Sequence, residues 1–124
     1  MTVVDASAVA AVLFGEVEGP TIAAHLEGET LVAPHLIDYE LAHVCEMKIR
    51  RHGDQADALR TSFAALERVA ISRVAVPPSD VLTLALATGL STYDAGYLWL
   101  ARHRDAELVT LDRELARVNA AIRD

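Results

Sequence analysis

The sequence predicts an α/β fold, a three-layer α/β/α sandwich around a central parallel sheet. Three observations lead there. Short β-branched runs alternate with helical stretches, which come in pairs in places. Hydrophobic residues make up 52% of the chain and charged residues 23%, a balance with ample apolar surface to bury. The 124 residues suit one domain and leave no room for a second, so 1–124 reads as a single domain. Aromatic residues are only 5%, which calls for an aliphatic core.

Each element has its local signal. Thr2-Val3-Val4 reads as a buried strand ending at Asp5, with a helix from Ala6 to Phe14. Gly15 and Gly19-Pro20 punctuate that helix, and a short helix over Thr21–Leu26 closes at Gly28. Leu31-Val32-Ala33 forms a strand, and Pro34 suits the first turn of a helix to about His52, capped by Gly53. A helix over Asp54–Arg68 puts Leu59, Phe63 and Leu66 on one face, and Val69–Val76 alternates as a strand. After the Pro77-Pro78 break, Ser79 caps a helix that ends at Gly89. A helix over Thr92–Arg104, a strand over Leu108–Leu111 and a helix over Asp112–Ile122 complete the chain.

Composition narrows the function. One Cys excludes an internal disulfide and a Cys-based zinc cluster. No basic leader and no apolar run of about 18 residues stands in the chain, so a cytoplasmic protein without a membrane partner is expected. The net charge of −7 opposes a simple DNA-binding module. It opposes an RNA-acting enzyme less, because carboxylates that hold metal are part of that count.

Four acids occupy stations where a ligand site would form. Asp5 and Asp112 stand at the carboxyl ends of strands, where ligands of open parallel sheets bind, although each could simply cap the helix that follows. Glu40 falls within the apolar arc of Leu36, Ile37, Leu41, Val44 and Met47, whereas Asp38 and Glu46 fall outside it as solvated acids. A carboxylate on that face is costly unless it is paired, protonated or bound to metal, and Lys48 or an Arg could pair it. Asp94 shares a face with Tyr97, Leu98 and Ala101, but it could equally complete a capping box with Ser91. All four acids can meet at one sheet edge. Together they would repel one another, and a hard divalent cation such as Mg²⁺ or Mn²⁺ relieves that cost. Such a centre is built for phosphoryl chemistry.

Competing motifs are weaker. Glu40 and His43 form a single Glu-x-x-His, where a di-iron bundle needs two. The remaining histidines lack zinc-ligand spacing. Cys45 borders the apolar arc as a buried, inert thiol. Trp99 suits an interface or a second core contact.

The runs Val3-Val4-Asp5-Ala6-Ser7-Ala8, Tyr39-Glu40-Leu41-Ala42, Tyr93-Asp94-Ala95 with Tyr97-Leu98, and Val109-Thr110-Leu111-Asp112, in that order, resemble the PIN-domain ribonucleases. Within them the chain is most similar to VapC toxins of type II toxin–antitoxin modules. The resemblance covers essentially the whole chain. It implies a PIN-like fold and Mg²⁺-dependent RNA cleavage by metal-activated water, with Mn²⁺ as a substitute. It also implies an RNA substrate, neutralisation by a cognate VapB-like antitoxin, and a homodimer or toxin–antitoxin hetero-oligomer. Carried over by position, Asp5, Glu40, Asp94 and Asp112 are the acidic quartet, and Ser7 and Thr110 are supporting hydroxyls. Gly96 stands where the family more often has Ala, a departure expected to matter little beyond loosening that helix. Two Mg²⁺ would offset four of the seven excess negative charges. The alternative is a catalytically inactive PIN-like or flavodoxin-like binding module, which would not need carboxylate-dependent Mn²⁺ binding.

Overall fold

The computed structural model describes residues 1–123. Its sheet contains β1 (Thr2–Val4), β2 (Leu31–Pro34), β3 (Ile71–Val74) and β4 (Glu107–Val109), in the order β3-β2-β1-β4, with every pairing parallel. The helices are α1 (Ala6–Leu13), α2 (Gly19–Leu26), α3 (Leu36–Arg51), α4 (Ala56–Ala64), α5 (Pro78–Thr88), α6 (Thr92–His103) and α7 (Arg113–Arg123). Short 3₁₀ turns at Gly53–Gln55 and Ala65–Arg68 flank α4.

The central strands are buried on both sides: Val3, Val4, Val32 and Ala33 are at most 1% exposed. That double burial is what a sheet between two helical layers requires. α1 packs on α2 and α3, while α5 packs on α6, and α6 lies across β1, β2 and β4. The three-layer α/β/α architecture around a parallel sheet expected from the sequence is the one observed. The chain proceeds from β1 outward through β2 to β3, then returns to place β4 on the other side of β1. The strand order therefore reverses between β1 and β4, and the crevice at their carboxyl ends is the natural ligand position.

Several boundaries differ from expectation, mostly at prolines. Pro34 is the last residue of β2, not the first turn of a helix. It is tolerated because the β1 pairing ends at Val3↔Val32, so no N–H is needed from it on that side. Pro20 opens α2, which begins at Gly19, because a helix's first turn needs no N–H there. By the same logic Pro78 starts α5 with Pro77 as its cap, so Ser79 lies inside the helix. Gly89 does terminate α5, in the left-handed region at φ 78°. α3 stops at Arg51, with His52 rather than Gly53 as its cap. β3 and β4 are shorter than their apolar runs, and Asp112 lies beyond the end of β4 rather than directly on it. No helix among the described residues is long and apolar enough to cross a membrane.

Candidate active site

Asp5 follows β1 directly and begins α1 as its N-cap. The residue is 4% exposed, yet its carboxylate is fully satisfied. Oδ1 accepts from the Ser7 hydroxyl at 2.7 Å and from the Ala8 amide at 3.0 Å. Oδ2 accepts from the Thr110 hydroxyl. Each hydroxyl has a single proton and gives it to Asp5, so the 3.3 Å approach of Ser7 Oγ to Thr110 Oγ1 is a contact of two acceptors. Those same oxygens accept in turn from the β4–α7 loop. Ser7 Oγ takes the Leu111 amide at 2.8 Å, and Thr110 Oγ1 takes the Asp112 amide at 3.0 Å. The hydroxyl pair thus ties the end of β1 to the loop that carries Asp112.

Glu40 lies on α3 and is half-buried. Tyr97, on α6 and 1% exposed, donates its hydroxyl to Glu40 Oε1 at 2.6 Å. Asp94 stands in the first turn of α6, where its amide donates to the Ser91 hydroxyl at 3.1 Å. Asp112 caps α7, and its Oδ1 accepts from the Leu115 amide at 2.9 Å. The capping expectations for Asp5 and Asp112 are therefore met, and the acids also come close enough to feel one another.

Burial pushes the Asp5 carboxyl up from its ordinary 3.8, against the hydrogen bonds from Thr110, Ser7 and Ala8, and the Asp112 charge adds to the rise. Burial likewise raises Glu40 above its usual 4.5, the Tyr97 hydrogen bond opposes this, and the charges of Asp94 and Asp5 reinforce it. Asp94 is raised by burial and then by the charges of Asp112, Asp5 and Glu114. Burial, then the Glu40 carboxylate, pushes the Tyr97 phenol up, so Tyr97 stays a donor. None of the four acids takes part in an ion pair among the described residues. Lys48 pairs with Glu16 at 3.1 Å instead of with Glu40.

Whether this donor set fits a hard cation follows from its chemistry. Every acidic donor is a carboxylate oxygen, and among the described residues no protein cation pairs with the group. No three His, Cys, Asp or Glu side chains among the described residues already close around a common point. Mg²⁺ needs only one or two carboxylates and completes its shell with waters and substrate phosphates, so the oxygen donors present are chemically suited to it. The residues fit such an ion and do not resemble a thiolate or imidazole zinc cage.

Some neighbours were not foreseen. Glu114 adds a further negative charge beside Asp94. Its sequence signal is its position two residues after Asp112. Asp38 is not a free solvated acid, since Arg73 grips it at 2.8 Å and ties α3 to β3. Cys45 is buried and Met47 is 37% exposed, so the apolar arc of α3 is rotated toward Cys45. Trp99 is partly buried against the core and stacks on His103 with ring centroids 4.5 Å apart.

The PIN-domain family profile matches residues 2–121. The chain belongs to the PIN-domain family. It is 32% identical over 121 residues to the VapC ribonuclease Mb0985 of Mycobacterium bovis, an overlap of 98% of this chain and 93% of that protein. It is 31% identical over 119 residues to Ribonuclease VapC3 of Pyrobaculum aerophilum, covering 92% and 91% of the two chains. The crystal structure of PAE2754 from Pyrobaculum aerophilum superposes with a TM-score of 0.74 at 30% identity, covering 94% of this chain and 83% of that one. The resemblance carried by the four acidic motifs is thus upheld at the level of family and fold.

Proposed function

We propose that this chain is a metal-dependent endoribonuclease of the VapC type, formed by one domain over residues 1–124. The observation that carries the reading is the set of four acids from four segments, Asp5, Glu40, Asp94 and Asp112. Three of them are raised by burial and by each other's charge, and none has a cationic partner among the described residues. The relatives from Mycobacterium bovis and Pyrobaculum aerophilum are ribonucleases by name, which supports RNA as the substrate class.

Asp5, Glu40, Asp94 and Asp112 are the residues that would hold Mg²⁺ or Mn²⁺. The ion would supply an activated water and neutralise charge at the scissile phosphate. Asp5 is held rigid by Ser7, Thr110 and the Ala8 amide, and Glu40 by Tyr97. Fixed carboxylates of this kind keep a metal-centred site organised before substrate arrives. The Ser7 hydroxyl among these contacts donates to Asp5 and accepts from the Leu111 amide, which makes it a support, so the reading requires no covalent intermediate. The expected products carry a 5′-phosphate and a 3′-hydroxyl. Purified protein incubated with total RNA and Mg²⁺ or Mn²⁺ should release such fragments, and EDTA should stop it. Absence of cleavage under both ions would overturn the reading.

A proteinaceous inhibitor completes the proposal. The unpaired acids suit an Arg or Lys from a cognate antitoxin, a cation occupying the space of a metal. Apolar side chains of the same partner would seat in the groove between α1 and α2, lined by Val9, Val12, Leu13 and Leu26. High Mn²⁺, or Glu40→Gln, should weaken that complex. Binding indifferent to both would place the inhibitor elsewhere.

A further inference from the structure

We infer that Tyr39 and Tyr93 form a stacking subsite for an unpaired nucleobase next to the scissile phosphate. The inference rests on the ribonuclease reading for the position of that phosphate. Tyr39 is 76% exposed and Tyr93 is 59% exposed. They border a cavity of about 440 Å³ whose other walls include Leu36, Val44, His43 and Glu40. Glu40 is therefore both a wall of this cavity and a member of the acidic group, so cavity and site share that residue. Each tyrosine is also the chain neighbour of a site acid: Tyr39 precedes Glu40 on α3, and Tyr93 precedes Asp94 on α6.

Charge decides the occupant. The chain has a net charge of −7, and the acids repel a phosphodiester backbone until a cation neutralises them. Bulk attraction cannot supply the affinity, so part of it must come from groups indifferent to charge. Aromatic faces provide this, because every base has a π-face and stacks without regard to the backbone. The apolar walls from Leu36 and Val44 shield a ring, while the His43 and Glu40 edges are polar enough to meet a base's hydrogen-bonding rim. A base that stacks on Tyr39 or Tyr93 has left its own helical stack, so the RNA bound here is single-stranded or bulged at that position.

The test is binding of a short unstructured RNA, fluorescently labelled at one end, followed by anisotropy with Ca²⁺ in place of Mg²⁺. A series of the same RNA with a single abasic nucleotide at successive positions is measured in parallel. For wild type, one abasic position should weaken binding by roughly five- to fiftyfold. Tyr39→Ala and Tyr93→Ala should weaken binding of intact RNA by a similar factor and lose sensitivity to that abasic position. The slope of log affinity against log salt should not change, because no phosphate contact is lost. Both side chains are exposed, so the fold should survive, and melting curves check this. The inference is overturned if both variants bind intact RNA like wild type, if no abasic position matters, or if wild type binds no RNA. It is equally overturned if the variants turn a dimer into a monomer in sedimentation while RNA affinity holds, since the face would then be an interface between copies. Cleavage in Mn²⁺, scored separately, reports on the ribonuclease reading: stacking without cleavage sinks that reading and leaves Tyr39 and Tyr93 as a base-binding site only, and cleavage without stacking sinks this inference alone.

Discussion

The Tyr97 hydroxyl donates to Glu40 Oε1 at 2.6 Å, linking α6 to α3 beneath the acidic group. The Tyr97 ring is locked in the core at 1% exposure, so its oxygen has a fixed position and the carboxylate inherits it. Tyr97→Phe keeps the packing and deletes the donor. We expect a stability loss of about 0.5–1.5 kcal/mol in urea unfolding. RNA cleavage should fall roughly 10- to 100-fold, as for other supports of a metal-centred site. Unchanged cleavage would show that Glu40 is held by something else.

How much of this was legible follows from where each signal resides. Asp5 could be found because a strand end followed by a helix is a local pattern in Thr2–Ala8. Glu40 stood out because an acid on an apolar helical arc breaks the periodicity around it. Asp94 and Asp112 were ambiguous by position, since a cap and a ligand look alike in one dimension. The hydroxyl pair Ser7 and Thr110 entered only through family resemblance, because the two residues are 103 positions apart and their meeting depends on the β1–β4 pairing. The Tyr97 bond and the Arg73 grip on Asp38 are tertiary contacts without a local mark. Pro34 misled because proline is equally suited to a strand's last position and a helix's first turn.

Apo stability should fall as pH rises. Asp5, Glu40 and Asp94 all have folded pKa values above their ordinary 3.8, 4.5 and 3.8. The folded chain therefore holds more protons than the unfolded chain between those values and the raised ones, and stability declines through that window. Melting in EDTA from pH 4 upward should show this contribution as a falling Tm, and Mn²⁺ should reverse it at neutral pH. Asp94→Asn should flatten the decline. A steeper decline in that variant would contradict the repulsion account.

Thr110→Val should do more damage than its size suggests. It removes a donor to the buried Asp5 and the acceptor of the Asp112 amide together. The expected cost is about 1–3 kcal/mol. Urea midpoints with unchanged m-values would measure it, and cleavage should fall with it. A variant as stable and active as wild type would remove Thr110 from the site's support.

Gly96→Ala should stabilise the protein. Gly96 lies in mid-α6, and a Cβ there would meet only Val76 Cγ2 at 3.9 Å, an ordinary contact. Glycine in a helix interior costs roughly 0.5–1 kcal/mol relative to alanine, and that amount should be regained in chemical unfolding. Cleavage should be retained, since the added methyl does not touch the acids. A destabilised variant would mean that α6 cannot tolerate even this volume.

The central claim, that the four acids are one divalent-cation centre, is tested most directly by a Mn²⁺ binding isotherm on the purified protein without RNA. The account predicts saturable binding by wild type, lost or severely weakened in Asp94→Asn and in Glu40→Gln while circular dichroism shows both folded. Wild type that binds no Mn²⁺, or variants that bind it as wild type does, would contradict the account.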